Sequence, residues 1–165
     1  MASRYADLER LYCEYRQQLF TCAIAITRSA AGAEDAVHDA FCNVLRQDQQ
    51  PDDLKAYVFR AVRNAALDHG RRNAGRDLPL PDFIFDLKAQ PAQSAEDAEF
   101  RQRVAESLLK LSADERETVV QHLYGELTFQ EIASIRDAPL GTVVSWYRRG
   151  LEKLRTQLEV TDGCL

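Results

Sequence analysis

A four-residue break inside an otherwise helical stretch, Arg136-Asp137-Ala138-Pro139, constrains this chain more than any other feature. Pro139 has no backbone N–H and pushes Ala138 out of the α region, so one helix must end and another begin here. Upstream, Thr128 followed three residues later by Glu131 predicts a capping box and a helix from Phe129. Ile132 and the small Ala133 give that helix an apolar side that a second helix can cross closely. Downstream, Gly141-Thr142 predicts a restart with Thr142 as the N-cap. Val143, Tyr147, Gly150, Leu151, Leu154 and Leu158 then recur at helical spacing as one seam, which leaves Ser145, Arg148, Arg149, Glu152 and Arg155 outward. A short helix, a tight turn and a second helix with hydroxyl and arginine side chains on its free side make the pattern of a helix-turn-helix.

The rest of the chain carries the same period. Ser3 to about Thr27 predicts one long helix with Tyr5, Leu8, Leu11, Tyr12, Tyr15, Leu19, Cys22, Ala23 and Ile26 on a continuous stripe, ended by Ser29-Ala30-Ala31-Gly32. A second helix is expected from about Ala33 to Arg46, burying Val37, Ala40, Phe41, Val44 and Leu45. Asp52 or Asp53 caps a third, with Leu54, Tyr57, Val58, Ala61, Val62 and Ala65 inward and Gly70 as its stop. Residues 73–93 have no helical period and contain Pro79, Pro81 and Pro91, which predicts a flexible linker whose apolar Phe83-Ile84-Phe85 run docks somewhere. Ser94 with Asp97 opens a helix to Leu111, and Ser112 with Glu115 opens another from Ala113 to Tyr124. The expected fold is therefore all-α. Two small helical domains, 1–72 and 94–165, flank the linker 73–93, and the second contains the helix-turn-helix.

Several function classes drop out at this stage. No apolar run approaches the roughly 20 residues needed to cross a bilayer, and the charged opening MASRYADLERLY is unlike a signal peptide, so no membrane insertion and a cytoplasmic location are expected. Cys13, Cys22, Cys42 and Cys164 lack metal-finger spacing; the first three stand beside apolar positions and read as small core residues. His38, His69 and His122 form no ligand motif, and neither a phosphate-binding loop nor a nucleophile elbow is present, so no enzyme, metal or cofactor is expected. The net charge of −5 is unevenly placed. Residues 34–53 hold six carboxylates against Arg46 alone, whereas 55–76 hold six cations against Asp68 alone. Adjacent blocks of opposite sign suggest two faces for two partners.

Read as a string, EIA, PLGTV and RRGLEKLR resemble the promoter-reading end of bacterial RNA polymerase sigma factors of the extracytoplasmic-function type. Ala33 to Leu45, AEDAVHDAFCNVL, resembles the acidic helix with which that family docks on core RNA polymerase. The resemblance implies polymerase contacts at Glu34, Asp35, Val37, His38, Asp39 and Phe41, with His38 where the family usually has Gln. Asp52 to Arg72 resembles the helix that reads and opens the −10 promoter element, and implies DNA contacts at Tyr57, Arg60, Arg63, Asn64, Asp68, Arg71 and Arg72. Tyr57 replaces a usual Trp, and His69-Gly70-Arg71 replaces an aromatic-Leu-Arg run. For the −35 element the implied residues are Thr142, Ser145, Trp146, Arg148, Arg149 and Arg155. Val144 and Trp146 stand where the family often has Lys and Arg, and Trp146 reads either as core flank or as a DNA contact. The resemblance covers Leu11 to Arg72 and Ala95 to Leu158. It implies core RNA polymerase and promoter DNA as partners, allows an anti-sigma factor, and requires no cofactor. The competing reading is a stand-alone helix-turn-helix regulator with an N-terminal sensing domain, which accounts for Thr128 to Arg155 but not for the acidic and arginine-bearing helices; co-purification with polymerase separates the two.

Overall fold

A computed structural model describes residues 2–72 and 94–162, with side chains described over 3–72 and 94–159. The expected linker 73–93, its apolar run and Cys164 lie outside the described residues. Seven helices are found among the described residues: α1 (Ala2–Thr27), α2 (Ala30–Arg46), α3 (Leu54–Arg72), α4 (Ala95–Leu109), α5 (Ala113–Leu123), α6 (Phe129–Arg136) and α7 (Leu140–Asp162).

Helices α1, α2 and α3 all pack on one another. The turn after α1 is made by Arg28 at φ 57, and Ser29 then caps α2 by accepting from Gly32 N at 3.2 Å. That cap moves the start of α2 to Ala30, three residues before the expected Ala33. Asp53 caps α3 through Ala56 N at 3.0 Å, as one of the two expected aspartates. Gly70 does not stop α3, which runs on to Arg72. A single helical glycine costs only about 1 kcal/mol relative to alanine and does not by itself end a helix. Leu8, Leu11, Leu19 and Ala23 of α1 meet Val37, Ala40, Val44, Val58 and Val62 in the core. Tyr5 and Tyr12 are exposed at 65% and 39%, contrary to the stripe expected on α1, because the core beneath that long helix is narrower than its apolar face. Cys13 is likewise exposed and Cys42 half-buried, while Cys22 alone of the three is buried.

In the C-terminal half, α5 is the central piece, with α7 crossing it and α6 alongside. Ser112 and Glu115 form the expected reciprocal capping box at its start. Gly150 permits the α5–α7 crossing: a Cβ there would lie 2.8 Å from Val119 Cγ2. Asp137, in the left-handed region at φ 51, terminates α6. Thr142 is not the cap of α7, because the Pro139 carbonyl already accepts from Thr142 N at 3.0 Å and Val143 N at 3.2 Å, so the helix starts at Leu140. Leu151 is also off the expected seam and 37% exposed.

The two halves touch. α1 packs on α5, and α3 packs on α6. This contact covers Phe59 on α3, which periodicity within its half did not single out and which lines a cleft with Glu131, Ser134 and Ile135 of α6; Ile24 and Ala25 on α1 are also buried off the expected stripe. Gly125, in the turn between α5 and α6, fits under Cys22, whose Sγ would be 3.0 Å from any Cβ placed there.

Candidate polymerase and nucleic-acid interfaces

Helix α2 presents two faces. Toward α1 it lines a groove of about 1330 Å³ with Glu34, Val37, His38 and Phe41, opposite Tyr5 and Tyr12. Phe41 is half-buried and meets the Tyr12 ring edge-on at 5.3 Å, whereas Val37 lies in the core. Toward α3, His38 and Asp39 line a second cleft of about 610 Å³. Glu34, Asp35, His38 and Asp39 are all exposed. The acidic set is thus split: Glu34 faces the apolar groove, while Asp39 Oδ2 lies 3.2 Å from His69 Nε2 of α3.

The α2–α3 cleft gathers most of the residues expected at the −10 element. Tyr57, Arg60, Asn64, Asp68 and Arg72 all line it, together with His69. The Tyr57 hydroxyl donates to Gln47 Oε1, which ties the α2–α3 loop to the cleft wall. Asp68 accepts from Arg71 Nη1 at 3.4 Å, an exposed pair on the last turns of α3. Arg63 stands apart from the cleft. It points instead to the C-terminal half, where its Nε and Nη2 donate to Glu117 at 2.5 and 3.3 Å. Arg60 also reaches that half, donating to the Ser134 carbonyl, and Lys55 Nζ pairs with Glu131 at 2.8 Å.

On α7, Ser145, Arg148 and Arg149 are exposed on one side, as their place off the Val143–Tyr147–Gly150 seam predicted. Arg149 Nε donates to Ser145 O at 3.4 Å, and Arg155, further along, pairs with Glu159 at 3.0 Å. Thr142 is half-buried. Trp146 packs against the core, and the Arg136 guanidinium lies 4.3 Å from its ring centroid, so the core-flank alternative describes its position.

Arg136, read in the sequence only as part of the helix break, turns out to organise the unit. Its side chain is 3% exposed; it donates to Thr118 Oγ1 at 2.9 Å and to Asp114, and lies 3.4 Å from Glu117 Oε2. One cation thereby ties α5, α6 and α7. Its neighbourhood supplied no sequence signal, because the partners are eighteen to twenty-two positions away. Glu115 is held similarly. Burial raises its carboxyl, but Lys153 Nζ at 2.9 Å from both oxygens and the Ser112 donors outweigh that and hold it below the usual value.

Comparison with known proteins agrees with this geometry. Residues 11–76 match the Sigma-70 region 2 family, and residues 101–154 match Sigma-70 region 4. The extracytoplasmic-function (ECF) RNA polymerase sigma factor SigL of Mycobacterium tuberculosis is 28% identical over 96% of this chain and 92% of its own length. The ECF sigma factor EcfG of Rhodopseudomonas palustris is 29% identical over 86% of this chain and 78% of its own length. Among solved structures, the sigma factor RpoE of Bartonella quintana, in complex with the anti-sigma factor NepR, shares the fold with a TM-score of 0.69. That match has 24% identity and covers 93% of this chain and 98% of that one. Among the described residues no helix is long and apolar enough to cross a membrane. With both regions present, in this order and over most of its length, the chain belongs to the sigma factors of RNA polymerase, in their extracytoplasmic-function group.

Proposed function

We propose that the three surfaces divide a sigma factor's work as follows. The exposed carboxylates Glu34 and Asp35, beside the α1–α2 groove with Phe41 on its wall, dock on arginine-bearing surface of core RNA polymerase. The α2–α3 cleft takes the −10 element: Arg60, Arg71 and Arg72 hold phosphates, Arg63 joins them once released, and Asn64 reads a base edge. Ser145, Arg148 and Arg149 enter the groove at the −35 element. Thr142 and Arg155 flank that helix face, while Val37 and Trp146 act through packing rather than contact. The units 1–72 and 94–165 are the working domains, acting in the cytoplasm and contributing no catalytic group to a reaction that is the polymerase's own.

The observation that carries this reading is the confluence of Tyr57, Arg60, Asn64 and Arg72 in one cleft against α2, the helix that also exposes Glu34 and Asp35. Asp39 is engaged with His69, so the cleaner test of docking reverses Glu34 and Asp35 instead. The double variant Glu34→Arg with Asp35→Arg is expected to lose co-purification with core polymerase, since opposing a charged docking site costs about 2 kcal/mol or more. Promoter-specific transcripts from core polymerase plus the wild-type chain, and none from the double variant, are the expected outcome. Undiminished pull-down by the double variant overturns the docking assignment.

A further inference from the structure

The first turns of α7 carry an apolar spot where a base-reading helix ordinarily offers hydrogen-bonding side chains. Val143, Trp146 and Tyr147 pack into the core. On the side they leave free, Leu140 is 45% exposed, Gly141 and Ser145 are exposed, and Val144 is half-buried. Leu140 and Val144 are four residues apart and so stand one above the other on the helix, with Arg148 continuing the row. A Cβ at Gly141 would meet nothing within 4 Å, so the backbone beside Leu140 is bare and open to close approach. Val144 stands where the family often has Lys. Arg136 does not replace that charge at the surface, because its side chain is 3% exposed and lies against the Trp146 ring.

A recognition helix in the major groove meets base edges with its N-terminal residues. Those edges offer donors and acceptors, with one apolar group among them, the C5 methyl of thymine. Aliphatic side chains satisfy no donor or acceptor; pressed on a G·C edge they strip polar atoms of water and return nothing. Exposed Arg148 and Arg149 border the spot, which suits a polyanion better than an apolar protein surface. We infer that Leu140 and Val144 read thymine methyl groups in the −35 element, so that a methyl contact rather than a hydrogen bond selects the base opposite each side chain. The inference rests on the assignment of α7 to that element, and it adds two specificity-determining residues to Ser145, Arg148 and Arg149.

Deoxyuridine tests this, because it removes the C5 methyl and leaves pairing and every hydrogen-bonding atom of the groove in place. Core polymerase loaded with the wild-type chain first selects duplexes from a pool randomised across the −35 segment, upstream of a fixed pre-melted bubble. The selected duplex is then resynthesised with deoxyuridine at each thymine of either strand in turn. Burial of a single methyl changes affinity roughly fourfold. Wild-type holoenzyme should therefore lose about that factor at the thymine facing each side chain and nothing at the others. Leu140→Ala and Val144→Ser should each bind the all-thymine duplex more weakly and abolish the deoxyuridine loss at one position. Val144→Thr, which keeps one methyl, should retain that loss in part. A selected element without thymine in either strand overturns the inference, as does binding indifferent to deoxyuridine throughout, or a loss that persists in both variants. Weakened holoenzyme assembly by the two variants, with the deoxyuridine loss intact, also overturns it and puts the spot against polymerase. A pool that yields no preferred −35 sequence counts against the assignment of α7 itself, and the inference falls with it.

Discussion

Asn64 and Arg136 show how differently two polar residues can serve the same protein. Asn64 is exposed on the wall of the α2–α3 cleft, where its amide can both donate to and accept from a base edge. Asn64→Ala is expected to spare polymerase binding and duplex promoter binding but to reduce strand opening several-fold, measured by permanganate reactivity on duplex and on pre-melted promoters. Normal opening by the variant on duplex removes this role. Arg136 is the opposite case, a buried cation with Asp114, Thr118 and Glu117 around it. Removing one member of a buried ion network costs about 3–5 kcal/mol, so Arg136→Ala should unfold the C-terminal half at a much lower denaturant midpoint. Arg149, exposed on α7, should affect stability little. Arg149→Ala is expected to weaken holoenzyme binding to the −35 element by about 1–3 kcal/mol if its fork grips a guanine. A loss uniform across sequences with a shallower salt slope would place it on a phosphate instead.

Among the elements, α5 carries the most consequential chemistry. Glu115 caps its first turn and pairs with Lys153 of α7, and its carboxyl titrates below the ordinary value of 4.5. A depressed folded value means that this contribution is full above the unfolded value and is lost as pH falls through the folded one. Lys153→Met should lower Tm by about 2–4 °C at neutral pH, an effect of about 1 kcal/mol for a half-exposed pair, and the difference from wild type should vanish below that acid range. Helix identity, order and most caps were legible in the sequence, because Ser29, Asp53, Ser94, Ser112 and Thr128 act locally. Ser29 even so lay hidden in a run expected to end α1. The cleft residues were legible as well, because one helix face brings Tyr57, Arg60 and Asn64 together. What stayed illegible was whatever depends on the other half of the chain. Phe59 is buried although it lies off the stripe expected for α3, because α6 and Tyr15 cover it. Arg63 looked like its neighbour Arg60 and yet sits outside the cleft, since Glu117, 54 positions on, draws it away.

Taken whole, the chain carries a net charge of −5 and a seam in which Lys55, Arg60 and Arg63 of α3 meet acceptors of the C-terminal half. Salt weakens both, and it also weakens any contact to phosphate. Raising ionic strength from 0.1 to 1 M shortens the screening length from roughly 10 to 3 Å, which loosens the half-buried Lys55–Glu131 pair while weakening any contact to phosphate. Free-chain binding to a −10 single strand is therefore expected to pass through a maximum with salt, whereas Glu131→Lys should show only the monotonic fall; fluorescence anisotropy over a salt series measures this. Glu131 also bears on how abruptly the seam can part. Thr128 accepts from Glu131 N at 3.1 Å, half of a capping box, while the Glu131 carboxylate is away on Lys55 rather than returning to the cap. When the halves separate, that carboxylate is three residues from a backbone donor it is placed to satisfy. Parting thus exchanges a remote partner for a local one, and the step resembles a relay in which α6 gains its own N-terminal closure at the moment it lets α3 go. At this one pair, then, the loss of Lys55 is offset by a contact that closes the first turn of α6.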